Sequence, residues 1–158
     1  MAIDVIAELK TRCEGIVDIE VAGSVRRSAE LIGNIDIVCS APEADIHGVI
    51  DAFTTLSNVR EVIVHDKPTA VFTDAKGFQF SITLVTPEAF AGALVYATGS
   101  VDHGTRLEAL GSERGMTFST SGLLNPANSP SSDIESEQDI YERLGLAFVP
   151  PQMREDSG

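Results

Sequence analysis

A chain of 158 residues has room for one domain or two small lobes. Its composition, 43% hydrophobic and 22% charged, provides a real core, and no apolar run approaches the roughly 20 residues of a membrane span. The net charge of −13, with 24 acidic against 11 basic residues, argues against a protein that grips a nucleic acid backbone alone through a basic face.

The N-terminal stretch MAIDVIAELKTRCEG carries acids and lacks the apolar core of a signal peptide, which predicts a cytoplasmic protein. In residues 3–12, Ile3, Ile6 and Leu9 share one helical face. A strand is expected at Val17–Ala22, then a Gly23-Ser24 turn and a short polar segment, Val25–Glu30. Gly33 ends that segment before a second strand, Asn34–Ser40. Ala44–Leu56 reads as a helix with Ile46, Val49, Ile50 and Phe53 inward. Val59–Val64 and Ala70–Thr73 are β-rich, and Gly77 precedes a strand at Phe78–Val85. Pro87 suits the first turn of a helix with Thr86 as N-cap, running to about Ala97. Thr98-Gly99-Ser100 ends it, and a further helix spans Val101–Arg114, stopped by Gly115. Met116–Ser119 reads as a short strand, Leu124–Glu135 as a loop, and Gln138–Leu144 as a last helix before the extended Val149-Pro150-Pro151. The pattern is α/β, or α+β in strict terms: a mixed sheet with covering helices, then a smaller second lobe beginning near residues 86–92. Cys13 and Cys39 have no metal-ligand spacing and read as reduced and buried.

The chemistry concentrates in VAGSVRRSAELIGNIDIV, residues 21–38. Gly23 permits a close backbone turn at a strand end. Ser24 offers a hydroxyl beside backbone N–H groups that can receive phosphate oxygens. Arg26 and Arg27 bring guanidinium groups suited to bidentate phosphate contact, and Gly33 lets the chain enter the next strand at close range. Asn34 and Asp36, two apart on that strand, share one face, while Ile35 and Ile37 take the other against a helix layer.

This stretch resembles the nucleotidyltransferase motif of the X-family DNA polymerases, the family of DNA polymerase β, whose pattern is Gly-Ser-x-Arg-Arg followed by Gly-Asp-x-Asp. LVYATGSVDHGTRLEAL, residues 94–110, is similar to the family's Tyr-Phe-Thr-Gly-Ser segment, where the palm passes into the thumb. SEQDIYERLGLAFVPPQMRED, residues 136–156, resembles the end of the thumb in bacterial members. The resemblance implies a nucleotidyltransferase palm over residues 1–88 and a small α/β thumb over 89–158. It implies nucleotide binding through Gly23, Ser24, Arg27, Gly33, Tyr96 and Gly99, with nucleoside triphosphate and DNA as partners. Bacterial members carry further domains, including a C-terminal metal-dependent phosphoesterase. The chain stops about where that one begins, so a longer parent chain is expected.

The resemblance also implies departures. The family's two metal ions are held by three carboxylates. The first matches Asn34, the second Asp36, and the third Ser81 in FQFSITLV. Alternation supports the last match, because Gln79, Ser81 and Thr83 form a polar face against apolar Phe78, Phe80, Ile82 and Leu84. Thr83 stands where the family has Arg, Ala97 where it has a second aromatic, and Gly104 where an Asn meets the incoming base. Ser119-Thr120-Ser121 replaces an Asn-Glu-Tyr near the template. The site therefore keeps one acid, Asp36, as catalytic and metal residue with degenerate partners Asn34 and Ser81. Mg²⁺ or Mn²⁺ is then bound weakly or not at all.

The expected function is an X-family DNA polymerase-like core in DNA repair, binding nucleotide or DNA ends, with polymerase activity weak or lost. Two alternatives stay open: a low-efficiency Mn²⁺-dependent polymerase, and a non-catalytic interaction or scaffold domain. A small antitoxin-type nucleotidyltransferase shares the Gly-Ser and Asp-x-Asp motifs but leaves the thumb tail unexplained. His103 is expected to be structural, His47 and His65 to be unremarkable surface or core positions. Asp66 and Asp74 suit hairpin turns, and Asp133, Glu135 and Glu137 suit a helix start.

Overall fold

The computed structural model describes residues 2–26, 34–66, 69–119, 121–127, 129 and 134–154. Helix α1, Ala2–Arg12, leads into strand β1, Asp18–Ala22, followed by a single helical turn, α2, Gly23–Arg26. Strand β2, Asn34–Ser40, precedes helix α3, Glu43–Thr54, and strands β3, Val59–Asp66, β4, Thr69–Asp74, and β5, Gln79–Val85. The five strands form one mixed sheet in the order β1-β2-β5-β4-β3, in which only β2 and β5 run parallel.

Strand alternation decides which face is covered by what. Ile35 and Ile37 of β2, Phe72 of β4 and Phe80, Ile82 and Leu84 of β5 pack under Val5 and Leu9 of α1 and Ile46, Val49, Ile50 and Phe53 of α3. Phe72 sits 4.8 Å from Phe53 and 5.0 Å from Phe80, ring centre to ring centre, which anchors this core in offset aromatic contact. The amphipathic readings of α3 and β5 therefore hold residue for residue. On α1 the inward stripe runs through Val5 and Leu9, spaced i,i+4, and Ile6 packs at its margin.

The opposite face takes a second layer. Thr86 is extended before a 3₁₀ turn, Pro87–Ala89, but its side chain makes no capping bond, so the proline and not the cap sets the helix start. Helix α4, Phe90–Thr98, follows and lays Ala93 and Leu94 on Ala22, Val38 and Val85. Helix α5, Val101–Glu113, is capped by the Ser100 hydroxyl, which accepts the His103 N–H. Beyond it, β6, Thr117–Ser119, and β7, Gly122–Leu124, form a small antiparallel hairpin, and helix α6, Glu137–Arg143, begins with a capping box of Ser136 and Asp139. The sequence reading placed a strand at residues 116–119 but did not anticipate its partner. Leu107, Phe118, Leu123, Ile140 and Tyr141 build a separate core around these later elements. Gly92 lets α4 meet the hairpin at backbone distance, since a Cβ there would stand 2.5 Å from the Leu123 nitrogen.

No helix among the described residues is long and apolar enough to cross a membrane.

Candidate active site

Asp36 lies on the α4 side of the sheet because its strand neighbours Ile35 and Ile37 face the α1–α3 core. Parallel pairing of β2 and β5 sets Asp36 opposite Ser81, and the Ser81 hydroxyl donates a 2.6 Å hydrogen bond to Asp36 Oδ1. The other carboxylate oxygen, Oδ2, faces Gly23. That glycine has φ +63°, and any Cβ there would overlap Oδ2. Two independent features thus require glycine at this strand-to-helix turn: a left-handed backbone and the approach of the Asp36 carboxylate.

A cleft of about 380 Å³ opens in front of this carboxylate. Its floor is Gly23, Asn34 and Asp36; its far wall is Tyr96, Ala97 and Gly99 from the end of α4, and Ser100, Gly104 and Glu108 from α5 and its cap. Ser81 lines a smaller adjoining cavity together with Asp36, Thr83 and Tyr96. Gly23, Asn34, Asp36, Tyr96 and Gly99 are therefore brought to one cleft, with Ser81 beside it. Arg27, Gly33 and the side chain of Ser24 lie outside the described residues, as does Thr120.

The wall is a tight corner. Gly99 has φ +69°, and the Gly99–Ser100 peptide is cis. The Ser100 N–H donates to the Arg154 carbonyl at 2.7 Å. Behind the wall, His103 is buried with its Nε2 2.8 Å from the Tyr141 hydroxyl, a structural position as the sequence suggested.

Arg26 corrects the sequence reading. It was expected to offer its guanidinium to phosphate. Instead it forms a bidentate pair with Glu137 of α6 at 2.6 and 2.5 Å and a 2.8 Å bond to Thr98 Oγ1. Glu137, expected merely to complement a helix start, is also held at 3.1 Å by Arg154. Arg154 is fully buried, 5.3 and 5.5 Å from the ring centres of Tyr141 and Phe148. Burial alone pushes the Glu137 carboxyl upward, but the Arg26 hydrogen bonds and the charges of Arg154 and Arg26 outweigh it and hold it below its ordinary value.

Other acids sort by geometry. Asp74 is buried in the β4–β5 turn, where its Oδ1 accepts the N–H groups of Lys76 and Phe78, a conformational role. Exposed His47 lies 3.5 Å from Asp51 on α3. The sequence reading missed Glu108, which reaches the cleft because it sits one helical turn beyond Gly104 on the same face of α5. Among the described residues no group of three His, Cys, Asp or Glu side chains is placed to hold a metal ion.

A mixed sheet thus presents Gly23, Asn34 and Asp36 to a cleft walled by the end of α4 and by α5. Residues 93–155 match the DNA polymerase beta thumb. The chain is also 28% identical over 137 residues to the DNA polymerase/3'-5' exonuclease PolX of Bacillus subtilis, an alignment covering 85% of this chain and 24% of that relative. The chain is thus an X-family DNA polymerase-like protein, spanning about a quarter of the length of the curated relative it matches.

Proposed function

We propose that this chain is the nucleotide- and DNA-end-binding core of an X-family polymerase acting in DNA repair in the cytoplasm, with nucleotidyl transfer weak or lost. Residues 1–88 serve as the palm and 89–158 as the thumb. The separate cores on either side of Pro87 and the match of residues 93–155 support that division. Further domains of a longer parent protein carry any nuclease work, a reading consistent with the 24% coverage of the relative.

The observation that carries the reading is the register of β2 with β5. The position facing Asp36 across the parallel pair is Ser81, whose hydroxyl donates a hydrogen bond to the Asp36 carboxylate instead of supplying a second carboxylate. Asn34, on the same strand face, adds only a neutral amide oxygen. A pair of divalent cations needs several anionic oxygens at close range. Asp36, Asn34 and Ser81 do not fit such a pair; Asp36 with substrate phosphates suits at most one weakly held Mg²⁺ or Mn²⁺. Gly23, Ser24, Arg27, Gly33, Tyr96 and Gly99 bind the nucleotide in this reading, and the loss of charge falls on the transfer step.

A second reading, slow Mn²⁺-dependent nucleotide addition, is favoured by Glu108, which lines the same cleft as Asp36. Primer extension with purified chain on gapped DNA, in Mg²⁺ and in Mn²⁺, separates the two. No incorporation alongside measurable triphosphate binding supports the first reading. Robust incorporation abolished by Asp36→Ala establishes the second. Absence of both nucleotide and DNA binding at low salt refutes both and leaves an interaction domain.

A further inference from the structure

Strand β1 is an edge of the five-stranded sheet: it pairs with β2 on one side and with no strand among the described residues on the other. Its open side presents backbone N–H and C=O groups along about 17 Å of strand. Alternation sends Ile19 into the α1–α3 core and Ala22 under α4, so Asp18 and Glu20 project on the α4 side. A groove of about 510 Å³ runs along this strand, between Lys10 and Glu14 at the end of α1 and Phe90 at the start of α4. Asp18 and Phe90 also line a neighbouring cavity of about 280 Å³ that reaches Glu88, Ile134 and Glu135. The two spaces form one trough beside β1.

The trough has a polar side and an apolar side. Glu14, Asp18, Glu20, Glu88 and Glu135 are exposed acids along it, against a single lining cation, Lys10. Toward α1 the surface is apolar, with Ile16 half-buried and Val17 55% exposed.

The geometry points to β1 as a docking edge for an extended segment of a partner protein in which Lys or Arg alternates with apolar residues. The segment adds to the sheet as a further strand. Its backbone pairs with the open edge of β1, and its side chains divide between the two faces of the sheet. On the α4 face its cations meet Asp18, Glu20, Glu88 and Glu135; on the α1 face its apolar residues cover Ile16 and Val17. Alternation in the partner is therefore what the trough selects.

A second copy of this chain is the wrong occupant. Two β1 edges side by side would bring the Asp18 and Glu20 of one against those of the other, and like charges across a strand pair destabilise it. A net charge of −13 adds to that repulsion. The acids thus guard the edge against its own kind and leave it open to a basic strand. None of these residues lines the cleft at Asp36, so the docking edge stands apart from the nucleotide reading.

The test uses the full chain and three blocked probe peptides of about eight residues, long enough to span the edge. One alternates Lys and Val. One alternates Lys and Pro, with the same charge but without the N–H groups a strand needs. One alternates Glu and Val. Fluorescence anisotropy measures affinity at about 50 and about 300 mM salt, and amide chemical shifts locate the contact. We expect the Lys-Val peptide to bind, to weaken at the higher salt, and to shift amides in β1. The Lys-Pro peptide should bind at least tenfold more weakly and the Glu-Val peptide not at all. Glu20→Lys/Glu88→Lys, which changes two exposed positions and leaves the fold intact by circular dichroism, should weaken the Lys-Val peptide at least tenfold. Equal affinity for Lys-Val and Lys-Pro, within twofold, would mean that charge alone attracts the peptide, and overturns the inference. So does an unchanged affinity in the double variant, a shift pattern centred on the opposite edge, β3, or no binding at the lower salt. Sedimentation showing a dimer whose contact lies at β1 would replace the basic partner with a second copy and overturn it as well.

Discussion

Placing acids at the two neutral positions of the cleft tests the electrostatic reasoning directly. In Asn34→Asp/Ser81→Asp the new carboxylates would flank Asp36, one on the same strand face and one across the parallel register. The Ser81 oxygen already lies 2.6 Å from Asp36 Oδ1, so a carboxylate there stands at about 4 Å once rotated away from contact. Two unit charges at about 4 Å repel by about 4 kcal/mol at an effective dielectric of about 20. The cleft is open to water and Asn34 is exposed, so about half of that, about 2 kcal/mol, is a fair working value. In the metal-free protein this repulsion lowers stability and raises the pKa of one acid of the pair. A divalent cation between the acids relieves it, and about 2 kcal/mol corresponds to roughly 30-fold tighter Mn²⁺ binding. Calorimetric titration of Mn²⁺ into wild type and double variant measures the ratio, and thermal unfolding shows whether Mn²⁺ stabilises the variant more. A folded double variant whose Mn²⁺ affinity lies within threefold of wild type would refute the placement of Ser81 at the third acid position.

Glu137→Gln should destabilise the chain by about 3 kcal/mol in urea unfolding, because it strands buried charge on Arg26 and Arg154. The same contact has a pH signature. The folded Glu137 carboxyl sits below its ordinary 4.5, so its contribution is fully present above pH 4.5 and is lost as pH falls through the lowered folded value. Acid unfolding should be less steep in the Gln variant, and an identical pH profile would remove the ion triad from the stability argument. Gly92→Ala drives a Cβ into the Leu123 backbone nitrogen and should cost about 1–3 kcal/mol by forcing α4 off the β6–β7 hairpin; wild-type stability would show that this contact relaxes freely. Burial pushes the Cys39 thiol up to about 12, with the neighbouring Cys13 and Asp18 adding to it, so Cys39 should resist iodoacetamide at pH 8 until the chain unfolds. Mass spectrometry of the labelled native protein checks this, and rapid labelling at Cys39 would place it outside the core.

How much of this was legible in the sequence depended on the range of the interactions. Helix α3 and strand β5 were readable because periodicity is local: Ile46, Val49, Ile50 and Phe53 recur at helical spacing, and Phe80, Ile82 and Leu84 at strand spacing. The same alternation put Asn34 and Asp36 on one face of their strand and Ser81 on the polar face of its own, while their pairing followed from the family resemblance and not from the pattern. The β6–β7 hairpin was half missed because strands of three residues leave too few positions to show alternation. Arg26 was misassigned for a different reason. A guanidinium after a Gly-Ser turn suits a phosphate or a carboxylate equally, and the carboxylate that claims it is 111 residues away. Glu108 was overlooked because no local pattern marks it. Its role follows only from α5 being docked with the Gly104 face toward β2.

The residues that shape the cleft and those that charge it answer to different constraints. Gly23 must be glycine because the backbone is left-handed there and the Asp36 carboxylate occupies the space of a Cβ. The Thr98-Gly99-Ser100 corner is held by Arg26 and Arg154, and those by Glu137, whose loss strands buried charge. Each of these positions is bound into the stability of the fold itself. Asn34 and Ser81 are not. Their side chains stand on the sheet face, Asn34 on the cleft floor and Ser81 beside it, outside the hydrophobic cores, where a change between acid, amide and hydroxyl alters few packing contacts. If the cleft is the proposed nucleotide site, affinity set by shape and backbone can be uncoupled from nucleotidyl transfer, which depends on placed negative charge.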